Sequence, residues 1–229
     1  MRIDRFLSEA TGMSRKEATK VMHRGEVALN GEVVKKGVVQ VKESDAVSWN
    51  GREIEILGPT YFMMNKPAGC VCANDDPSHI PVFAYLDIAN PDKLHTAGRL
   101  DLDTTGLLLI TNDGQWSHRI TSPKHRCEKT YRVWLVDPIS EQTATLFAEG
   151  IQLRGEAKLT EPAQFEQVGE REALVTIHEG KYHQVKRMFA ACGNKVEALH
   201  RERVGSLALD STLAPGEYRS LTTEEIALF

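Results

Sequence analysis

The sequence predicts an α+β protein in two parts: a small basic domain over residues 1–58, and a larger domain over residues 59–229 with a mixed, mainly antiparallel sheet and flanking helices. Three observations predict it. The front of the chain repeats apolar side chains at helical spacing and then places an Asn-Gly pair between short β-prone runs. A Gly58-Pro59 breaker follows. Beyond it, strand-like runs alternate with helix-like ones.

Ile3, Phe6, Leu7 and Ala10 recur at i, i+3, i+4 and i+7, one apolar stripe on a short helix that Gly12 ends. Ser14-Arg15-Lys16-Glu17 is a capping box that starts a second helix, with Gly25 as its stop. In that helix Ala18, Val21 and Met22 face inward. Lys16, Lys20 and Arg24 recur every four residues and form a cationic ridge, with Arg15 and His23 beside it. Val27 to Leu29, Asn30-Gly31 and Val33-Val34 read as a hairpin, because Asn-Gly accepts the positive φ of a type I′ turn. Residues 51–59 read as a connector ending in the breaker.

In the second part, Tyr61–Met64, Gly106–Ile110, Thr130–Val136 and Ala173–Ile177 are strand candidates. Ser140–Ala148, stopped at Gly150, and Tyr182–Cys192, stopped at Gly193, are helix candidates, and the second is apolar at Val185, Met188 and Phe189.

Charge is uneven. The net charge of −4 argues against a polyanion binder when taken alone. Residues 1–36, however, hold eight Lys/Arg against five Asp/Glu, so the front is basic. Charges interrupt every apolar stretch near the N-terminus, which predicts no signal peptide or membrane segment and a cytoplasmic chain. Cys70, Cys72, Cys127 and Cys192 contain no Cys-x-x-Cys pair, and structural thiols are favoured over a metal site.

Chemistry concentrates between His95 and Gly106. A turn at Gly98 can project Arg99 and Asp101 from one edge, and Asp103 can lie near them. Asp-x-Asp by itself could ligate a divalent metal or could cap a turn through its side chains. Tyr131 shares a strand face with Val133 and Leu135, which spacing alone reads as core.

Taken whole, Gly98-Arg99-Leu100-Asp101 with Thr104, Gly106, Leu107 and Leu108 resembles the central motif of the RNA pseudouridine synthase family. Asn65-Lys66-Pro67 with Gly69, Thr111-Asn112-Asp113-Gly114, Glu128-Lys129-Thr130-Tyr131, and Gly180 followed by Tyr182 to Met188 add to the resemblance. Residues 1–58, through Arg2 to Phe6, Ser14 to Lys16 and Gly25 to Gly31, resemble the small α-L RNA-binding domain. The combination, with the stretches Asp113–Pro123 and Tyr182–Ala191, resembles the branch that modifies 16S small-subunit ribosomal RNA.

The resemblance implies a catalytic Asp101, an active-site Tyr131 able to stack on an extruded uracil, and Lys186 as the basic partner of Asp101, at a position that is often Arg in the family. Lys66 and Pro67 are read as shaping the backbone, with His183 and Gln184 as supports. The reaction exchanges an N-glycosidic bond for a C-glycosidic one, so no cofactor or metal is expected. Asp101 would act as a nucleophile or as a base on the ribose 2′ proton. Phosphate contacts are expected from Arg2, Arg5, Arg15, Lys16, Lys20, Arg24, Arg99, Arg119, Arg126, Lys129 and Arg187. His118, Lys124, His125 and Arg132 extend that basic stretch beside Tyr131. The implied partner is ribosomal RNA, 16S in a pre-ribosomal particle, with no membrane and a monomeric chain. A synthase acting on 23S RNA, a non-catalytic RNA-binding assembly factor, and a metal-dependent phosphodiesterase built on Asp101 and Asp103 remain as alternatives.

Overall fold

Helix α1 (Ile3–Thr11) buries Ile3, Leu7 and Ala10 and ends on Gly12, whose φ of 77° and N–H bond to the Ser8 carbonyl close the last turn. Asp4 is buried on the same helix, which the apolar stripe does not predict; Arg2 and Arg15 both hydrogen-bond its carboxylate. Helix α2 (Arg15–His23) starts with both halves of the Ser14–Glu17 capping box and buries Ala18, Val21 and Met22. These belong to the computed structural model, which describes residues 1–56, 58–88 and 91–229.

The described chain divides into two compact units, Met1–Gly58 and Pro59–Phe229. In the first, strands β1 (Val27–Leu29), β2 (Glu32–Val33), β3 (Val47–Trp49) and β4 (Arg52–Ile54) form a sheet in the order β2-β1-β3-β4. Asn30 and Gly31 have φ of 49° and 84°, as the two-residue turn between β1 and β2 requires. Asn50-Gly51 repeats this turn, at 52° and 75°, between β3 and β4. The reading of residues 51–59 as a connector is therefore corrected: Arg52–Ile54 is a strand, because the second Asn-Gly turns the chain back on β3. Leu57, within that span, lies outside the described residues.

The second unit opens with β5 (Tyr61–Lys66), β6 (Cys70–Val71), β7 (Ile80–Pro81) and β8 (His95–Thr96). There follow β9 (Thr105–Thr111), α3 (Gly114–Thr121), β10 (Lys129–Leu135), α4 (Thr143–Glu149), β11 (Gln164–Gly169) and β12 (Glu172–Ile177). Then come α5 (Gln184–Ala191), β13 (Val196–Val204), β14 (Leu207–Ala208), β15 (Tyr218–Ser220) and α6 (Thr223–Ile226). The main sheet runs β11-β12-β10-β13-β9-β5-β15, with β14 on β13 and β8 on β9. Its neighbours pair antiparallel except β9 and β13, which are parallel, so the sheet is mixed and mainly antiparallel. Trp116 of α3 is fully buried against Met63, Leu107 and Leu109 and meets Tyr61 and Phe229 edge-on. Phe147 of α4 and Phe189 of α5 pack with Phe165 of β11.

Two predicted helices begin later than expected. Ser140 opens a turn, its carbonyl accepting from Thr143, and α4 starts there instead. His183 sits at φ 48°, in the left-handed region, so α5 begins at Gln184.

Candidate active site

Register places three residues side by side: Gly106 on β9 pairs with Arg201 on β13, which pairs with Tyr131 on β10. A β-bulge interrupts the β10–β13 pairing between Thr130 and Tyr131, and such an extra residue re-aims the side chains beside it. Gly106 has φ of 102°, and a Cβ there would lie 2.4 Å from the Arg201 carbonyl oxygen. Only glycine lets β13 approach this closely.

The loop entering β9 is held from below by Lys66. This lysine is fully buried at the end of β5, and its Nζ donates to the carbonyls of Pro67 at 3.1 Å, Asp101 at 3.0 Å and Thr104 at 2.9 Å. Three N–H groups meet three acceptors, so the backbone of the Asp101 turn is pinned at both ends. Burial pushes the Lys66 ammonium below its usual range.

A cavity of about 770 Å³ opens above this loop, with Asp101, Tyr131, Arg99, His183 and Arg201 in its wall. Lys186, one turn into α5, reaches Asp101 from outside that wall: its Nζ lies 3.2 Å from Asp101 Oδ2 and 2.5 Å from Asp103 Oδ1. Burial works against the Lys186 charge, but hydrogen bonds to Asp103 and Asp101 outweigh it and raise the ammonium above its usual range. For Asp103 burial likewise opposes ionisation, and the Lys186 bond overcomes it to hold the carboxyl low. His183 Nε2 lies 3.4 Å from Asp101 Oδ1, and its ring stacks on the exposed Tyr182 at 3.8 Å between centroids. Gln184 is buried; its amide donates to Glu179 and its carbonyl oxygen accepts from the Lys181 N–H, fixing the approach to α5.

Thus Asp101, Tyr131 and Lys186 come together. An ammonium between Asp101 and Asp103 occupies the place a divalent cation would need, so the donor set suits an ion pair better than a metal. Among the described residues no group of three or more His, Cys, Asp or Glu could hold a metal ion.

The residues expected to meet phosphate are dispersed. Lys16 and Lys20 are exposed on one face of α2. Arg24 on that face pairs with Glu26, Arg5 pairs with Glu9, and Arg2 and Arg15 hold Asp4. In the second unit Arg99 is exposed at the cavity wall, while Arg119 donates to the Phe229 carbonyl and Arg126 pairs with Glu161. Lys129 donates to the carbonyls of Ile120 and Cys127, and Arg187 pairs with Glu156 and caps the Arg154 carbonyl. Arg132 is held between Glu172 and Glu202 on the adjacent strands.

Arg201 is the site residue that sequence reasoning missed. It lies in the charged run His200-Arg201-Glu202-Arg203, which reads as an exposed segment, yet it is 2% exposed. Its one signal is position: with Leu199 it falls on the alternate residues that face inward.

Residues 60–191 match the family model described as RNA pseudouridylate synthase, and residues 1–47 match that of the S4 domain. The chain is 60% identical over 227 residues to a Vibrio cholerae protein named ribosomal small subunit pseudouridine synthase A, covering 99% of this chain and 98% of that one. An Escherichia coli K12 protein of the same name is 52% identical over 228 residues, covering 99% of both. A solved structure titled as a crystal structure of pseudouridylate synthase superposes with a TM-score of 0.74 at 50% identity, covering 100% of each chain.

Proposed function

The chain belongs to the RNA pseudouridylate synthase family, and from that premise we propose that it isomerises one uridine of small-subunit (16S) ribosomal RNA to pseudouridine, with Asp101 as the acidic residue that opens the reaction. The observation that carries this reading is the placement of the Asp101 carboxylate in a cavity wall with an ammonium 3.2 Å away and its own backbone carbonyl tied to Lys66.

The target uridine leaves the stack and enters the cavity, whose volume of about 770 Å³ suits a nucleoside. Lys186 pairs with the Asp101 carboxylate and orients it. Asp101 then attacks the sugar or removes the ribose 2′ proton, and the base departs. Tyr131, 9% exposed on a rigid strand, offers its ring to the uracil face and its hydroxyl to proton movement. Lys66 acts on backbone alone, fixing Asp101 to within the tolerance that catalysis demands. The N-terminal unit supplies phosphate contacts through Lys16 and Lys20. The chain acts in the cytoplasm as a monomer, on 16S RNA within a pre-ribosomal particle.

The test is Asp101→Asn. Pseudouridine mapping of 16S RNA from cells carrying only this variant should show the site unmodified, while the purified variant binds the RNA with nearly unchanged affinity. A fully active variant would remove Asp101 from the role, and a wild-type chain that leaves every small-subunit uridine unchanged would end the substrate assignment.

A further inference from the structure

Arg201 is buried without an anion. Its Nε donates to the Leu107 carbonyl at 2.8 Å, and Nη1 makes long contacts to the Arg99 carbonyl at 3.4 Å and the Tyr131 hydroxyl at 3.5 Å. Its Nη2 is buried with no hydrogen-bond partner. Among the described residues no salt bridge reaches Arg201 and no carboxylate lies within 4 Å of its nitrogens. A guanidinium stays charged at any working pH, and a cation withdrawn from water is poorly compensated by neutral oxygens and the Tyr131 ring, whose centroid is 6.0 Å from the Arg201 Cζ. The neighbouring Thr104 Oγ1, also in the cavity wall, is a second buried polar atom without a partner. The site is therefore short of one anion and one polar partner.

Resting on the function proposed above, we propose that Arg201 is a catalytic residue that holds the detached uracil ring as an anion, Nη2 donating to a ring carbonyl oxygen. When the C1′–N1 bond breaks, its electron pair leaves with the ring and spreads over N1, O2, C5 and O4. The ring turns, C5 gives an electron pair to C1′ as the bond from C1′ to Asp101 breaks or as C2′ takes its proton back from Asp101, the C5 proton is lost, and N1 takes up a proton. In the meantime C1′ is either bonded to an Asp101 oxygen or joined to C2′ by a double bond after the 2′ proton has passed to Asp101. Both routes release the same anion, so the role of Arg201 does not depend on the choice between them.

The base, not a phosphate, is the fitting occupant. A phosphodiester stays continuous with the strand at the mouth of a pocket, whereas the base is the part that enters. Arg201 is 2% exposed and touches the hydroxyl of Tyr131, the residue assigned to the uracil face. The negative charge appears only after the bond breaks, so a fixed cation there favours the transition state over the bound substrate.

The experiment compares Arg201→Met and Arg201→Lys with wild type under single-turnover conditions, using the form of 16S RNA that wild type converts. One substrate carries uridine at the target and the other 5-fluorouridine, whose electron-withdrawing fluorine stabilises the departing ring. With uridine, Arg201→Met should lose about 100-fold in rate at saturating enzyme, with Arg201→Lys intermediate. With 5-fluorouridine, followed by its disappearance from digested RNA, the loss should shrink to less than about 10-fold. A variant that merely packs badly slows both substrates alike, and a phosphate contact weakens binding of both alike. Equal losses on the two substrates overturn the role of Arg201. A wild-type chain that converts no form of 16S RNA overturns the function beneath it.

Discussion

The Nζ of Lys186 lies 3.2 Å from the Asp101 carboxylate, and the same ammonium is 2.5 Å from Asp103. One cation thus serves two carboxylates that stand on one turn. Lys186→Met leaves the two carboxylates without their shared ammonium, and single-turnover pseudouridine formation should fall by about 100-fold. Lys186→Arg restores the charge but brings a planar fork in place of a point donor, so it should recover part of the rate. Asp103→Asn removes only the solvent-facing partner and should cost less than about 10-fold. Equal rates for Lys186→Met and wild type would show that the pair is structural.

Lys66 makes a different kind of demand. Replacing it by Met keeps the volume but takes a donor from the carbonyls of Pro67, Asp101 and Thr104; the Cys70 thiol still donates to the first and the Thr104 N–H to the second. With an unsatisfied buried acceptor costing about 1 kcal/mol at the low end and two of the three carbonyls only weakened, Lys66→Met should lower unfolding stability by about 1 to 2 kcal/mol in urea titration. Activity should fall further than the folded fraction explains, because the displaced carbonyl belongs to Asp101 itself.

Gly106→Ala tests the close approach of β13. The new Cβ would meet the Arg201 carbonyl oxygen at 2.4 Å and its nitrogen at 2.8 Å, at a φ of 102° that side chains avoid. Backbone has to move, at a cost of about 3 kcal/mol. Because the movement shifts Arg201, the variant should also lose activity at temperatures where circular dichroism shows it folded.

How much of this was legible follows from where side-chain chemistry is local. The ends of α1 and α2 and the β1–β2 turn are set by residues within four positions of one another: Ser14 with Glu17, Gly12 with Ser8, Asn30 with Gly31. Strands β5, β9, β10 and β12 carry apolar runs that only a sheet interior accommodates. By contrast β13 was invisible, because His200, Arg201 and Glu202 mask its alternation, and their partners Thr105, Leu107 and Arg132 lie about 70 to 95 residues away. Lys66 was read as shaping the backbone, but not which backbone, because two of its acceptors, Asp101 and Thr104, lie 35 and 38 residues away. Asp101, Tyr131 and Lys186 were singled out through motif resemblance; spacing alone left Tyr131 as a core residue, and it is buried.

His200 gives a pH signature. Burial pushes its imidazole below the usual 6.5, and its Nδ1 lies 2.8 Å from Thr105 Oγ1 on β9. Below pH 6.5 the unfolded chain binds a proton that the folded chain refuses, so stability present above that pH is lost progressively as pH falls toward the depressed folded value. The melting temperature of wild type should therefore drop relative to that of His200→Gln between about pH 7 and pH 5. A constant difference between the two across that window contradicts a buried neutral imidazole.

Lys16 and Lys20 are the ridge residues of α2 that form no ion pair among the described residues, whereas Arg24 is held by Glu26. Two exposed ammonium groups one turn apart suit successive phosphates, since each displaces condensed counterions without reading a base. Lys16→Ala with Lys20→Ala should weaken RNA binding and reduce the slope of log affinity against log salt by about 0.7 to 0.9 per lost contact. Arg24→Ala, which also releases Glu26, should weaken binding less. Because the cavity residues are untouched, the double variant should keep its single-turnover rate at saturating protein. A slope unchanged from wild type would place the phosphate contacts elsewhere in the chain.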